Sequence, residues 1–231
     1  MARWLRSELQ RAARNHALPE SQRRTVWGLC SVLLDYPTPE LVDGLDTLSA
    51  EAATLPPQFA EPLGRLLAHL RGAELRALQE EYVATFDHTR RCALFLTYFS
   101  YGDTRRRGVA LVQFKQAYRK AGVEFAADEL PDHLCAVLQF GAGVDVPGAW
   151  RLLLDHRAGL EMLRLALVDA GSPWAEAVTA VCDTLPELKG GDLEAVRRLV
   201  EQGPPAEEVG LEPYLIDPQI PVGPPPAGAL R

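Results

Sequence analysis

LGRLLAHLRGAELRALQEEYVATF, residues 63–86, decides the fold. Its apolar side chains fall at Leu63, Leu66, Leu67 and Leu70, then at Leu75, Leu78, Tyr82 and Phe86, steps of three and four that put each set on one helix face. The same spacing returns at Trp174, Val178, Val181 and Leu185, whereas strand alternation over five or more residues is absent. Helix punctuation agrees. Thr38-Pro39-Glu40 and Ser172-Pro173-Trp174 each read as an N-cap followed by proline in the first turn. Gly171 can end a helix in the left-handed conformation, and Gly190-Gly191-Asp192 separates the last two helical patterns. An all-α, single-domain helical bundle of roughly eight to ten helices is expected.

Working outward, residues 1–22 read as an amphipathic N-terminal arm, with Trp4, Leu5, Leu9 and Ala12 opposite arginines, and residues 23–202 as the helical domain. Residues 203–231 hold eight of the eighteen prolines, a composition that predicts an extended or disordered tail. With 231 residues and 47% hydrophobic content, the chain can bury a core without disulfides or metal. Cys30, Cys92, Cys135 and Cys182 form no C-x-x-C pair, which fits a reduced, cytoplasmic setting. No apolar run reaches the ~18 residues of a membrane span, so a soluble chain is expected. The run SQRRTVWGLCSVLL at 21–34 has the arginine pair of a twin-arginine signal but no cleavage site, and Val26, Leu29, Cys30 and Leu33 are spaced for a helix face.

Between Glu80 and Phe140 the composition changes. Nine of the seventeen aromatic residues lie in the 44 positions from Tyr82 to Phe125. From His88 to Lys120 there are eight Lys or Arg and one acid, Asp103, so this stretch is strongly basic inside a chain of net charge −7. The overall acidity argues against general nucleic-acid binding. Arg105-Arg106-Arg107 follows Gly102-Asp103-Thr104, a turn and cap signal, yet arginines oppose the dipole of a helix's first turn. Pairing with the chain's own acids, an anionic ligand, or plain solvation all remain open for them.

Catalytic readings lack parts. No glycine-rich phosphate loop or G-x-S-x-G elbow occurs. Asp87-His88, Asp132-His133 and Asp155-His156 raise a metal-dependent helical hydrolase, with Asp87/His88 and Glu129/Asp132/His133 as its residues, but the dipeptide order is the reverse of that in such enzymes. Glu129 and His133 are four apart and could share a helix face. The preferred reading is that Asp128, Glu129 and Asp132 favour the start of a helix near Pro131. No resident cofactor or metal is expected.

The motifs Y-V-x-T-F-D-x-x-R-R at 82–91, L-T-Y-x-x-x-G-D-T-R-x-R-G at 96–108, F-K-x-x-Y at 114–118 and E-L-P-D-H-L at 129–134 resemble the NarJ-type nitrate reductase assembly chaperones, the nitrate reductase delta subunit family. In outline the likeness runs from Leu33-Leu34-Asp35-Tyr36-Pro37 to the tail, and its dense part covers about sixty residues. It implies an all-helical, cytoplasmic, non-catalytic chaperone. The implied partner is the apo catalytic (alpha) subunit of respiratory nitrate reductase, engaged through its N-terminal peptide, kept competent for molybdenum cofactor insertion and held back from membrane docking. The cofactor-insertion machinery is a further implied partner.

An amphipathic peptide binds by laying its apolar face in a helix-lined groove with acids at the rim. Tyr82, Phe86, Tyr98 and Tyr118 are the candidate anchors, and Asp87, Asp103, Glu129 and Asp132 the candidate ionic partners of a basic peptide. Arg90, Arg105 and Arg107 would orient those acids or meet acids of the client, and His133 completes the candidate set. The chain departs from the family pattern at Cys135 and Gln139, where Pro and Glu are usual. The missing carboxylate weakens a purely ionic reading of the 129–134 turn.

Overall fold

The computed structural model describes residues 18–101, 105–125, 130–188, and positions 190, 191, 194, 196 and 198. The N-terminal arm to residue 17, the Gly102-Asp103-Thr104 cap, Asp128 and Glu129, and the proline-rich tail lie outside the described residues. In chain order the α-helices are α1 (Glu20–Leu33), α2 (Pro39–Ala52), α3 (Pro57–Gly72), α4 (Leu75–Tyr82), α5 (Tyr98–Tyr101), α6 (Arg105–Lys120), α7 (Leu134–Gly143), α8 (Val146–Asp155), α9 (Arg157–Asp169) and α10 (Ala175–Asp183). A π-turn at Val83–Asp87 extends α4, and a 3₁₀ turn spans Arg90–Cys92. Among the described residues, β pairing is confined to an isolated antiparallel bridge between Phe95 and His133. The all-helical expectation holds. Helix α1 starts at Glu20, inside the stretch read as an arm.

Local chemistry accounts for several boundaries. Thr38 caps α2 by accepting from the Leu41 N–H at 3.3 Å, with Pro39 in the first turn, and Asp145 caps α8 by accepting from the Gly148 N–H at 3.0 Å. Gly171, at φ +66°, ends α9 in the left-handed region, and the Ser172 N–H returns to the Leu167 carbonyl at 3.0 Å. The second proline signal acts differently from expectation. Ser172 to Trp174 form a turn before α10, and no side chain caps that helix. Packing sets the entry instead: Trp174 is fully buried, and its indole N–H donates to the Leu33 carbonyl at 3.1 Å.

Helix α1 is the axis of the core. Val26, Trp27, Leu29, Cys30 and Leu33 are all buried, as their helical spacing requires. The Trp27 ring lies against α7 where Gly141 leaves room, since a Cβ added there would also come within 2.7 Å of Ala149 Cβ on α8. The Trp27 indole N–H donates to Thr184 Oγ at 3.0 Å, so two tryptophan hydrogen bonds tie α1 to the end of the bundle around α10. Leu63, Leu66, Leu67 and Leu70 of α3, with Leu78 of α4, pack into the same cluster. On α9, buried Glu161 pairs with buried Arg157 and Arg164, each at 2.7 Å.

Candidate functional site

The turn between α1 and α2 is held from below by α4. Tyr82 is buried, and its hydroxyl donates to the Leu34 carbonyl at 3.0 Å, while Gln79 Nε2 donates to the Pro37 carbonyl at 2.9 Å. These bonds fix Asp35 and Tyr36, both exposed, at the mouth of an open cleft of about 470 Å³ between α1 and α2. Val32, Tyr36, Leu41 and Leu48 supply apolar wall, Asp35 and Glu40 supply acid, and Gln139 of α7 closes one side. Among the described residues no Lys, Arg or His lines it. The Glu40 carboxyl is held below its ordinary value by its own backbone N–H and then by the Thr38 hydroxyl, so it stays ionised near neutral pH. Asp35 accepts from the Tyr36 N–H at 2.8 Å, which fixes its carboxylate beside the tyrosine.

Beneath the mouth runs an aromatic column. Tyr36, 43% exposed, meets Tyr82 edge-on at 5.5 Å between ring centroids; Tyr82 lies 4.6 Å from Phe86, and both reach Trp174 at 5.6 Å. The π-turn carries this register, because the His88 N–H reaches back five residues to the Val83 carbonyl at 3.1 Å and leaves Phe86 facing the tryptophan. Tyr82 and Phe86 therefore form a floor rather than exposed anchors.

A second group of sequence candidates converges on a buried carboxylate. Asp132 is 0% exposed, and its Oδ2 accepts from the Thr97 N–H at 3.1 Å and the Thr97 hydroxyl at 2.5 Å. Arg107 Nη2 stands 3.7 Å from the same oxygen and its Nε donates to the Thr97 hydroxyl at 3.2 Å. The guanidinium also lies 5.3 Å over the Phe95 ring, which meets the His133 ring at 5.2 Å. Tyr118 is 1% exposed and donates to the Pro131 carbonyl at 2.7 Å; burial first, and Asp132 second, push its hydroxyl pKa up. Arg107, Tyr118, Asp132 and His133 thus meet, as parts of one internal clasp.

That clasp corrects the helix-start reading of Asp132. The helix begins at Leu134 with His133 in the cap position and no side-chain cap, while Asp132 binds the start of α5, 35 residues away in sequence. The remaining candidates are dispersed. Tyr98 is buried against Phe99 at 5.9 Å, Asp87 and Arg90 are exposed, and Asp103, Glu129 and the Arg105 side chain fall outside the described positions. Among the described residues no cluster of three or more His, Cys, Asp or Glu could hold a metal, and the hydrolase reading loses Asp132 to its bonds with Thr97. The cleft residues Asp35, Tyr36 and Glu40 were absent from the sequence candidates. Thr38-Pro39-Glu40 reads only as a cap, and Leu34-Asp35-Tyr36-Pro37 only as a family mark. No helix among the described residues is long and apolar enough to cross a membrane.

Comparison with known proteins bears directly on this architecture. Residues 52–180 match the family described as nitrate reductase delta subunit. The nitrate reductase-like protein NarX of Mycobacterium tuberculosis is 40% identical over 159 residues, 69% of this chain, but the match spans only 24% of that longer relative. A probable nitrate reductase molybdenum cofactor assembly chaperone, NarJ of Bacillus subtilis, is 28% identical over 182 residues, covering 78% of this chain and 98% of the relative. The crystal structure of a proposed redox enzyme maturation protein from Archaeoglobus fulgidus superposes with a TM-score of 0.53 at 23% identity, over 69% of this chain and 91% of that one, which places the fold. The helical core, the motif run from 82 to 134 and the family match over residues 52–180 together establish that the chain belongs to the nitrate reductase delta subunit family.

Proposed function

We propose that the chain is a cytoplasmic, non-catalytic assembly chaperone for the catalytic (alpha) subunit of a respiratory nitrate reductase. It engages the N-terminal peptide of that subunit along the cleft between α1 and α2, keeps the subunit open for molybdenum cofactor insertion, and delays its docking to the membrane partner. The observation that carries this reading is the cleft's lining: apolar walls, two carboxylates and, among the described residues, no cation. A helical peptide with an apolar face and basic flanks is its chemical complement. Relatives named as nitrate reductase molybdenum cofactor assembly chaperones support a nitrate reductase subunit as the client.

Of the sequence candidates, exposed Asp87 is available to a basic residue of the peptide, whereas Tyr82 and Phe86 act by supporting Tyr36. Isothermal calorimetry with the N-terminal peptide of the cognate catalytic subunit tests the reading. Asp35→Lys with Glu40→Lys is expected to weaken binding at least ~10-fold, because two carboxylates that attract a basic peptide become cations that repel it. Unchanged affinity in that folded double variant would remove the cleft from the binding site. Absence of any binding at millimolar peptide would remove the peptide mode altogether.

A further inference from the structure

Helix α6 presents an outer face that neither the cleft nor the clasp uses. Ala110, Phe114 and Tyr118 turn inward and are buried. On the opposite side Val109 is 69% exposed and Val112 49%, two of the most exposed large apolar residues described. Around them stand Arg106, Lys115, Arg119 and Lys120, all exposed and, among the described residues, without an ion-pair partner. Positions 106, 109, 112, 115 and 119 repeat at three and four, so cations and valines share one stripe. No acid occurs anywhere in Arg105–Lys120. Four unpaired cations around exposed valine side chains form a surface suited to an acidic segment with apolar side chains of its own.

The C-terminal part of the sequence supplies such a segment outside the described residues. EEVGLEPYLID, residues 207–217, carries Glu207, Glu208, Glu212 and Asp217 with Val209, Leu211, Tyr214, Leu215 and Ile216, and no Lys or Arg. The opposite terminus is excluded by charge, since residues 1–17 hold four arginines and one glutamate. Lengths agree. The 16-residue helix is ~24 Å long, and eleven residues of extended chain reach up to ~36 Å. Pro213 prevents the segment from continuing as a helix through its centre, which favours an extended lie along the stripe. The geometry points to the 207–217 segment as a strap of this same chain that docks on the outer face of α6, covering Val109 and Val112 and neutralising its cations.

Zero-length carbodiimide coupling in the full chain, read by mass spectrometry, tests the strap directly, because it joins a lysine amine only to a carboxylate in contact with it. Bonds from Lys115 or Lys120 to Glu207, Glu208, Glu212 or Asp217 are the expected products. Hydrogen exchange gives an independent readout. Reversing Glu207, Glu208, Glu212 and Asp217 to Lys in the full chain is expected to raise amide exchange within residues 105–120 at least tenfold. Adding Arg106→Glu, Lys115→Glu, Arg119→Glu and Lys120→Glu to that variant should restore protection. Coupling products absent, or exchange unchanged by the reversal, would overturn the assignment. Coupling found only between isotopically distinct copies in a mixed sample would overturn it in favour of a second chain. Calorimetry at the cleft reads a different surface, so either result stands whatever the peptide experiment gives.

Discussion

Tyr82 is the residue on which the cleft's shape depends most directly. Its hydroxyl holds the Leu34 carbonyl, and its ring carries Tyr36. Tyr82→Phe keeps the ring but leaves that buried carbonyl short of a donor, so a stability loss of about 1–2 kcal/mol is expected in chemical denaturation. Peptide affinity should fall as well, although residue 82 does not line the cleft; a Tyr82→Phe variant that is destabilised yet binds the peptide normally would show that Tyr82 has only a core role. Gly141 is constrained for another reason. Its backbone is ordinary, but Trp27 and Ala149 occupy the space of a side chain, so Gly141→Ala should cost about 1–3 kcal/mol and lower Tm. At this scale the sequence is least informative. Tyr82, Phe86 and Tyr118 were legible as special because aromatics beside charges are conspicuous, but whether such a ring faces outward depends on contacts from distant segments. Asp132 is the clearest case, with a partner 35 residues away that no local pattern encodes.

Among elements, the junction of α8 and α9 carries a titratable group in the core. His156 is buried, stacks on Phe114 of α6 at 4.9 Å, and has no hydrogen bond at Nε2. Burial lowers its pKa from 6.5, and Asp155 and Asp132 oppose that shift without cancelling it. A depressed folded-state pKa means that the unfolded chain takes up the proton first as pH falls. The stabilisation is therefore complete above 6.5 and is lost as pH drops below 6.5 towards the lower folded-state value. His156→Phe, which keeps a ring against Phe114, should flatten the pH dependence of unfolding free energy below 6.5 by up to ~1.4 kcal/mol per pH unit, measured by denaturant titration at several pH values. The helices themselves were readable because a 3.6 period is a local record of which face is buried, as the leucines of α3 and Val26 to Leu33 of α1 demonstrate. Helix starts were readable where a side chain does the capping, as at Thr38, and misread where packing does, as at Trp174.

For the whole molecule, α1 makes the chain interdependent. It packs on α2, α7 and α10, and its two tryptophan hydrogen bonds span 157 and 141 residues of sequence. A helical body linked through its first element should unfold as a unit, so far-ultraviolet helicity and near-ultraviolet aromatic signals are expected to disappear in one coincident thermal transition. Two separated transitions would divide the 23–202 domain. The cleft was hidden at sequence level for the same reason: residues 32–48 and Gln139 become neighbours only once α7 lies along α1. The aromatic column gives this arrangement a spectroscopic consequence. Tyr36 and Trp174 are joined through Tyr82 by centroid steps of 5.5 and 5.6 Å, distances over which excitation passes efficiently from phenol to indole. A ligand that turns the Tyr36 ring is expected to change transfer along this column to Trp174, so occupancy of the cleft should register in the protein's own emission, with no label attached.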